Sequence, residues 1–305
     1  MEAPEITILG PEVPAPVVLF AVGGGGDPRR HLPLLEALAG AGFRVIAPHF
    51  PRLTDPWPTE EILRRRATVL REAVVREGLA TGPVRRRRPA ILRAAATPET
   101  AGPQGQGPVR SRPPANLLAA ASRETAGPLQ QVPVIGIGHS IGATMLLALA
   151  GGDLWLRPPP GESPSPLVVA RLPFAQLLLL APPTGYFPQP FSVNAPVSVW
   201  VGANDTVTPP AQAERLAELL ASPADVHVVP GADHFSFLHV APPVPRQESA
   251  ELAPGFLAEM TATLVACAVA AAGAARETSP RIRLATDADI PALQAVGIAA
   301  DRRFL

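Results

Sequence analysis

The chain has 305 residues, of which 47% are hydrophobic and 17% are charged, so a wholly disordered protein is excluded. Its 26 basic and 26 acidic residues balance, so no overall positive charge favours binding to nucleic acid or to an acidic membrane surface. All the basic residues are arginines, which excludes lysine nucleophiles, and the single cysteine, Cys267, excludes an intrachain disulfide and a cysteine-rich metal site.

The N-terminal part of the chain alternates between apolar strands and helices. Strands are predicted at Val17–Val22 and Phe43–Ala47, and helices at Arg30–Ala41 and Thr59–Glu77. A run of four glycines, Gly23–Gly26, follows the first of these strands. Glycines let a backbone adopt positive φ and approach a ligand closely, so this run is a candidate binding loop.

Two neighbouring segments that are near-copies of each other interrupt the alternation. They are Pro83–Gly107 and Pro108–Val132, both rich in Pro, Gly and Arg. Two copies are too few for a solenoid, so we interpret them as a tandem duplication within a surface loop. The run Arg85–Arg88 fits an anion patch as well as a solvated loop. A second irregular loop is expected at the proline-rich Arg157–Pro166.

The C-terminal half returns to alternating strands and helices. The strands predicted there are Val132–Gly138, Ala175–Ala181, Val197–Val201 and Val226–Val229, and the helices are Ile141–Ala150 and Pro209–Leu220. Continuous apolar strands separated by helices predict an α/β fold with a mostly parallel sheet that is covered by helices on both faces.

The apolar stretch Met260–Ala275 is about four residues too short to cross a membrane, and we predict that it forms a closing surface helix. The N-terminus has no basic start and no sustained apolar core, so no secretory signal is expected. We therefore expect a soluble, cytoplasmic protein without a membrane span. The sequence leaves its oligomeric state open.

The motif Gly138-His139-Ser140-Ile141-Gly142 has the form G-x-S-x-G and lies between a predicted strand and a predicted helix. A turn this tight needs small residues on both sides of the serine, and it lifts the Ser140 hydroxyl clear of the sheet. It also places Ser140 at a helix N-terminus, where backbone N–H groups favour negative charge. The alternative is an ordinary glycine-containing turn.

A serine nucleophile needs a base, and the base needs a carboxylate that orients it. Of the six histidines, His234 lies just past a predicted strand, where its imidazole can reach the carboxyl edge of the sheet. Asp205 follows another strand at the same edge, although it could serve only as a cap for the next helix. His239 is the reserve candidate for the base. Asp233 and Asp225 are weaker candidates for the carboxylate.

A developing oxyanion also needs hydrogen-bond donors. We predict one donor at the backbone N–H of Ile141, directly after the serine, and a second at Gly24 or Gly25 in the glycine run. A phosphate or dinucleotide site is the alternative use of such a run. Arg29, however, occupies the place of the third glycine of G-x-G-x-x-G, and no suitable acidic residue follows about twenty residues later.

The order Ser140, Asp205, His234, together with the serine turn and the glycine run, resembles the α/β-hydrolase superfamily over roughly residues 5 to 275. The segments VVLFAVGGGGDPRRHLPLLEALAGAGFRVIAPHFPR, GIGHSIGATMLLALAGG and VVPGADHFSFL resemble its dienelactone-hydrolase-like and predicted-esterase branch. This resemblance implies an α/β-hydrolase fold, hydrolysis of carboxylic esters or related acyl compounds, a small-molecule acyl substrate, and no metal or organic cofactor.

Three features depart from the pattern of that family. Val22-Gly23 replaces the usual His-Gly of the oxyanion loop, the N-terminal strands are short with only Ile6–Leu9 in evidence, and the duplicated insert precedes the strand of the serine turn. The nucleophile is also a serine rather than the cysteine of true dienelactone hydrolases, so that substrate is not implied.

A second resemblance lies at Arg281–Phe304, where RIRLATDADIPALQAVGIAADRRF is similar to the first strand and helix of a GNAT acetyltransferase. So short a segment cannot form that fold or bind its coenzyme, and the alternative is a helical tail. We expect a hydrolase domain at residues 1–276 with the duplicated insert at 83–132, followed at 277–305 by a linker and this truncated segment.

The sequence thus predicts a serine hydrolase of the esterase type that uses Ser140, His234 and Asp205. Two other interpretations stay open: an inactive binding protein with a hydrolase fold, and the remnant of a hydrolase–acetyltransferase fusion. The acyl group, the alcohol and the physiological role do not follow from the sequence.

Overall fold

Residues 4–12, 15–55, 58–76, 132–156, 166–240 and 252–278 are described by a computed structural model. The described strands are β1 Ile6–Leu9, β2 Val17–Ala21, β3 Arg44–Pro48, β4 Val134–His139, β5 Leu154–Trp155, β6 Pro166–Leu167, β7 Gln176–Leu180, β8 Val197–Gly202 and β9 Ala224–Val229. The described α-helices are α1 Leu32–Gly40, α2 Glu60–Arg76, α3 Ile141–Ala150, α4 Pro210–Leu219 and α5 Phe256–Thr278, and a 3-10 helix covers Pro28–His31.

Seven of these strands form one sheet in the order β1-β3-β2-β4-β7-β8-β9. Neighbouring strands are parallel except for β1 and β3, which run antiparallel at one edge. The strands β5 and β6 form a separate antiparallel ribbon. The predicted fold class, an α/β fold with a mostly parallel sheet and helices on both faces, is confirmed.

The sheet separates two apolar layers, because successive side chains of a strand point to opposite faces. In β2, Val17, Leu19 and Ala21 belong to the layer that contains α2, α3 and α4. Val18 and Phe20 belong to the layer that contains α1 and α5. A strand that is buried on both faces is a continuous apolar run in the sequence, which is why these strands could be predicted closely.

Several segments differ from the sequence prediction. The helix predicted from Arg30 starts earlier as a 3-10 turn, because Pro28 suits a first helical position and the Asp27 side chain accepts the backbone N–H of Arg29. The β5–β6 ribbon has no counterpart among the predicted elements, since two-residue strands carry no periodicity. Pro166, assigned from the sequence to an irregular loop, begins β6.

Most of the duplicated insert at 83–132 and of the C-terminal segment at 277–305 lies outside the described residues, so the interpretations of both segments stay predictions. The last helix is longer than expected. It continues through Thr278, past the end predicted near Ala275 and past the domain boundary predicted after residue 276.

The last described helix, α5, is apolar along much of its length. By length and composition alone, its residues 256–275 could cross a membrane. In the fold, Leu264, Ala268 and Ala272 of this helix are buried in the layer that it shares with α1. The closing helix predicted around Met260–Ala275 is therefore present, whereas the absence of a membrane span stays a prediction.

The carboxyl ends of the parallel strands meet at one edge of the sheet, which is where ligands bind in open α/β folds. The glycine run Gly23–Gly26 follows β2, and Ser140 follows β4. Asp205 lies just past β8, and His234 lies just past β9. The topology therefore brings the features singled out in the sequence to the same edge.

Substitution of two glycines by alanine should change the stability of the fold in opposite directions. A Cβ on Gly142 would lie 2.1 Å from the carbonyl oxygen of Ala21, whereas a Cβ on Gly273 in α5 would meet nothing within 4 Å. We expect Gly142→Ala to lower the free energy of unfolding by about 1–3 kcal/mol through overpacking. Gly273→Ala should raise it by about 0.5–1 kcal/mol, because alanine loses less backbone entropy in a helix. Urea unfolding measures both changes, and an unaltered stability of Gly142→Ala would contradict the described contact between α3 and β2.

Candidate active site

Ser140 lies in the turn between β4 and α3 with a φ of 53°, a backbone conformation that is uncommon for a residue with a side chain. Glycines make this turn possible. A Cβ on Gly138 would lie 2.8 Å from the backbone of Ala143, and Gly142 lies against the end of β2 in the same way. The sequence folds here into the tight strand-to-helix turn that the G-x-S-x-G motif predicts, and Ser140 lines a cleft beside it.

His234 reaches Ser140 from the loop after β9. Its Nε2 atom lies 3.0 Å from Ser140 Oγ, and the residue is only 5% exposed. Asp233 stiffens the loop, because its carboxylate accepts hydrogen bonds from the backbone N–H of Phe235 and the hydroxyl of Ser236. The loop also lies tightly against the end of β8, since a Cβ on Gly202 would lie 2.3 Å from the carbonyl oxygen of Ala232.

Asp205 lies on the far side of the His234 ring, where its Oδ2 atom is 2.9 Å from His234 Nδ1. The same carboxylate accepts the backbone N–H groups of Val207, at 2.8 Å, and of Thr208, at 2.7 Å, on Oδ1. The Thr208 hydroxyl donates to Oδ2 at 2.7 Å. Because a carboxylate only accepts hydrogen bonds, Nδ1 of His234 carries the proton, and Nε2 is left free to accept the proton of the Ser140 hydroxyl.

The environment of Asp205 favours its charged form. Burial raises the pKa of this carboxyl group. The hydrogen bond from His234, the positive charge that this ring carries when protonated, and the two hydrogen bonds from Thr208 lower it by more, so the pKa lies below its ordinary value. Asp205 is therefore ionised at neutral pH and can hold the His234 imidazole in one tautomer and orientation.

The other candidates from the sequence are placed elsewhere. His239 makes a 3.3 Å contact between its Nε2 and the Thr261 hydroxyl of α5. Asp233 is engaged within its own loop, and Asp225 lies exposed on β9. The structure thus brings together Ser140, His234 and Asp205, the three residues that the sequence reasoning ranked first.

Two of the backbone groups expected to bind an oxyanion border the cleft at Ser140. Ile141 begins α3 and Gly24 lies in the loop after β2, and neither N–H has a hydrogen-bond acceptor among the described residues. The two loops are close, since a Cβ on Gly23 would lie 3.2 Å from Ser140 Cβ. Gly25 is more exposed and borders a neighbouring, smaller cleft rather than this one. Gly24 is therefore the better placed of the two predicted glycines.

Sequence reasoning missed Thr208, which holds the carboxylate of Asp205. The spacing Asp205-x-x-Thr208 after a strand is a signal that could have found it, because an aspartate often accepts the N–H groups two and three residues later in a turn. The sequence pattern likewise assigns no role to His139. In the structure it donates from Nε2 to the backbone carbonyl of His234 at 3.0 Å and so ties the serine turn to the histidine loop.

Three histidine rings form a row behind the serine. The ring of His139 lies 5.1 Å from that of His234 and 5.5 Å from that of His31. Burial, followed by the neighbouring His234, lowers the pKa of His139 to about 3, and burial holds the pKa of His31 well below its ordinary value. Both rings are therefore neutral at neutral pH.

The cleft beside Ser140 has a volume of about 420 Å³. Its apolar walls are supplied by Leu53, Pro58, Ile141, Pro183, Tyr186 and Val207. Burial raises the pKa of Tyr186 to about 12, so its phenol is neutral at neutral pH. Asp55 and Gln212 add polar groups to the lining. A pocket of this size and character suits a small, largely apolar molecule.

Within the part of the chain that the structure describes, no group of three or more His, Cys, Asp or Glu side chains is arranged to hold a metal ion. The expectation that the protein uses neither a metal nor an organic cofactor stays a prediction.

No family model matches the chain, and no curated protein sequence matches it. Among solved structures it is similar to esterase 2 of Thermogutta terrifontis, with 13% identity, a TM-score of 0.48, and coverage of 85% of this chain and 86% of that one. It is similar to a monoacylglycerol lipase of Paleococcus ferrophilus, with 14% identity, a TM-score of 0.49, and coverage of 89% and 100%. It is also similar to an α/β serine hydrolase homologue from Coxiella burnetii, with 17% identity, a TM-score of 0.44, and coverage of 87% and 90%.

These likenesses are distant, and by themselves they assign neither an activity nor a role to any residue of this chain. The resemblance of residues 281–305 to an acetyltransferase gains no support from the comparisons.

The two neutral, buried histidines make the stability of the fold sensitive to acid. Because the pKa of His139 in the folded chain, about 3, lies below its ordinary value of 6.5, the unfolded chain binds a proton between these values that the folded chain does not. The contribution of the neutral His139 ring to the free energy of unfolding is therefore fully present above about pH 6.5, and it is lost as the pH decreases. At pH 5 His139 alone should lower the free energy of unfolding by roughly 2 kcal/mol relative to neutral pH, and His31 should act in the same direction.

Urea unfolding at pH 7.5 and pH 5 measures this loss, and His139→Gln should reduce it by roughly 2 kcal/mol. The matched control is His227→Gln on the exposed side of β9, which should retain the wild-type loss. An equal loss in wild type and in His139→Gln would show that His139 is not held neutral in the folded protein.

Proposed function

We propose that this protein is a serine hydrolase that cleaves carboxylic esters, or related acyl compounds, through a covalent acyl-enzyme. The observation that carries the proposal is the continuous hydrogen-bonded chain from Ser140 Oγ to His234 Nε2, at 3.0 Å, and from His234 Nδ1 to Asp205 Oδ2, at 2.9 Å. A nucleophile, a base and an orienting carboxylate in this order can activate a serine hydroxyl at neutral pH.

In the proposed reaction, Ser140 Oγ forms a bond to the acyl carbon while His234 Nε2 takes the hydroxyl proton. The carbonyl electrons move to the oxygen, which becomes an oxyanion. When this intermediate collapses, the bond to the leaving alcohol breaks and His234 returns the proton to that alcohol. A water molecule then attacks the acyl-enzyme with His234 again as the base, and this step releases the acid and restores the Ser140 hydroxyl.

The oxyanion is proposed to accept hydrogen bonds from the backbone N–H groups of Ile141 and Gly24. Support comes from their position at the cleft and from the lack of any other acceptor for them among the described residues. The N–H of Ile141 also belongs to the first turn of α3, where the helix dipole favours negative charge.

The substrate class follows from the walls of the cleft. About 420 Å³ lined mainly by Leu53, Pro183, Tyr186 and Val207 favours an uncharged acyl group of short to medium length. We therefore expect p-nitrophenyl esters of short and medium acyl chains to be hydrolysed faster than those of long chains.

Substitution of Ser140 and of Asp205 tests the mechanism. Ser140→Ala should lower kcat by at least about a thousandfold, and Asp205→Asn by about three to four orders of magnitude, with p-nitrophenyl esters as substrates. A fluorophosphonate should label wild type at Ser140. Matched controls are Ser192→Ala and Asp225→Asn, both at exposed positions, and His239→Gln for the reserve base; all three should keep near-wild-type turnover.

Near-wild-type turnover in Ser140→Ala would contradict the mechanism. A folded wild-type protein that neither hydrolyses esters nor accepts the label would favour an inactive binding protein instead.

A further inference from the structure

Arg66 is a buried cation that the proposed reaction has not used. It lies on α2, is only 3% exposed, and forms no ion pair among the described residues. Burial lowers the pKa of Arg66 to about 10, so its guanidinium is still charged at neutral pH. A buried charge without a counter-charge is costly, and it persists only where other groups compensate for the lost water.

The groups that compensate are backbone carbonyls at the edge of the active site. Nη1 of Arg66 donates to the carbonyl of Gly23 at 3.3 Å and reaches that of Val22 at 3.5 Å. Nη2 donates to the carbonyl of Pro51 at 3.2 Å. The guanidinium also lies over the Phe50 ring, 4.7 Å from its centroid. Arg66 therefore joins the glycine loop after β2 to the loop after β3.

The bond from Arg66 to Gly23 helps to fix the direction of one particular amide, together with the backbone N–H of Gly26, which donates to the same carbonyl at 3.2 Å. In a trans peptide the C=O and the N–H point to opposite sides, so a Gly23 carbonyl that faces Arg66 turns the Gly24 N–H away from Arg66. Gly24 lines the cleft together with Ser140 and Ile141. The next peptide is held as well, because the Gly24 carbonyl accepts the N–H of Leu53 at 2.7 Å.

We infer that Arg66 is a positioning residue for the proposed hydrolysis: its guanidinium orients and polarises the Gly23–Gly24 peptide so that the Gly24 N–H donates to the oxyanion. The inference rests on the proposed function. Its physical basis is that a positive charge on the carbonyl side of a peptide strengthens the N–H on the other side as a donor. A site dipole fixed before the reaction stabilises charge that appears only in the transition state.

The proposed hydrogen bond stabilises the transition state more than the bound substrate, so its loss should change kcat and KM differently. Removal of the charge should lower kcat while it leaves KM nearly unchanged, because the ground-state carbonyl gains little from the donor. Arginine should also be hard to replace. Lysine keeps the charge, but its single ammonium cannot span the carbonyls of Gly23 and Pro51 as the planar fork does.

The experiment compares Arg66→Met and Arg66→Lys with wild type on a p-nitrophenyl ester and on the matching thionoester. Sulfur accepts hydrogen bonds weakly, so turnover of the thionoester depends little on the oxyanion donors. Arg66→Met should lower kcat for the ester about 10- to 100-fold with KM within about twofold, and should lower the ester-to-thionoester ratio of kcat/KM by at least about tenfold. Arg66→Lys should lie between Arg66→Met and wild type. Arg65 is an exposed neighbour on α2, so Arg65→Met is the matched control, and it should leave kcat and KM for both substrates unchanged.

A second measurement is needed if the thionoester is turned over too slowly to measure, or if Arg66→Met does not fold. A trifluoromethyl ketone forms an oxyanion on the active serine, and its inhibition constant should rise for Arg66→Lys in parallel with the loss of kcat/KM. Equal losses on ester and thionoester, a rise in KM alone, or wild-type inhibition constants in a folded variant would overturn the inference. Failure of the proposed function is distinguishable, since wild type would then hydrolyse no ester and Ser140 would not be labelled.

Discussion

The contact between the start of α3 and the end of β2 is the constraint on which the candidate site depends. A Cβ on Gly142 would lie 2.1 Å from the carbonyl oxygen of Ala21, so only a glycine lets the helix begin there. This approach puts the N–H of Ile141 and the loop that contains Gly24 on the same cleft as Ser140. A similar contact lies three strands along the sheet, where a Cβ on Gly202 would be 2.3 Å from the carbonyl oxygen of Ala232 and the histidine loop is held against β8. Close backbone contacts at strand ends, rather than long side chains, therefore set the distances within the site.

Buried ionisable groups near the serine are accommodated in different ways. Asp205 keeps its negative charge, because His234, Val207 and Thr208 supply hydrogen bonds to its carboxylate. His139 is neutral instead, because burial and the neighbouring His234 ring disfavour its charged form more than the His234 carbonyl and the Asp205 carboxylate favour it. Arg66 keeps its positive charge, because backbone carbonyls accept hydrogen bonds from its guanidinium. The field at the cleft thus comes from a few fixed charges and oriented peptides, and these do not need to rearrange when charge develops on a substrate.

Much of the core fold and the first choice of site residues could be predicted from local patterns. The apolar runs of β2 and β8 identify strands buried on both faces, and the G-x-S-x-G turn identifies Ser140. The order of strand ends favoured His234 over His239, and the structure places His234 rather than His239 beside the serine. Arg66 and His139 could not be assigned in this way, because their partners are backbone atoms of other elements and leave no trace in the sequence around them. The β5–β6 ribbon escaped prediction for a related reason, since two-residue strands depend on tertiary contacts rather than on a repeating pattern.

The connection between α2 and β4 has an evolutionary consequence. In a parallel sheet a crossover helix runs back from the carboxyl ends of the strands to their amino ends. The chain therefore leaves the described fold at Arg76 and re-enters it before Val134 at the edge opposite to the serine, and the six residues of β4 separate the two edges by about 20 Å. A gain, duplication or loss of residues between these two points leaves the covalent path through the turn at Ser140 unchanged. We therefore expect this junction to tolerate variation in length more readily than the turn at Ser140 does.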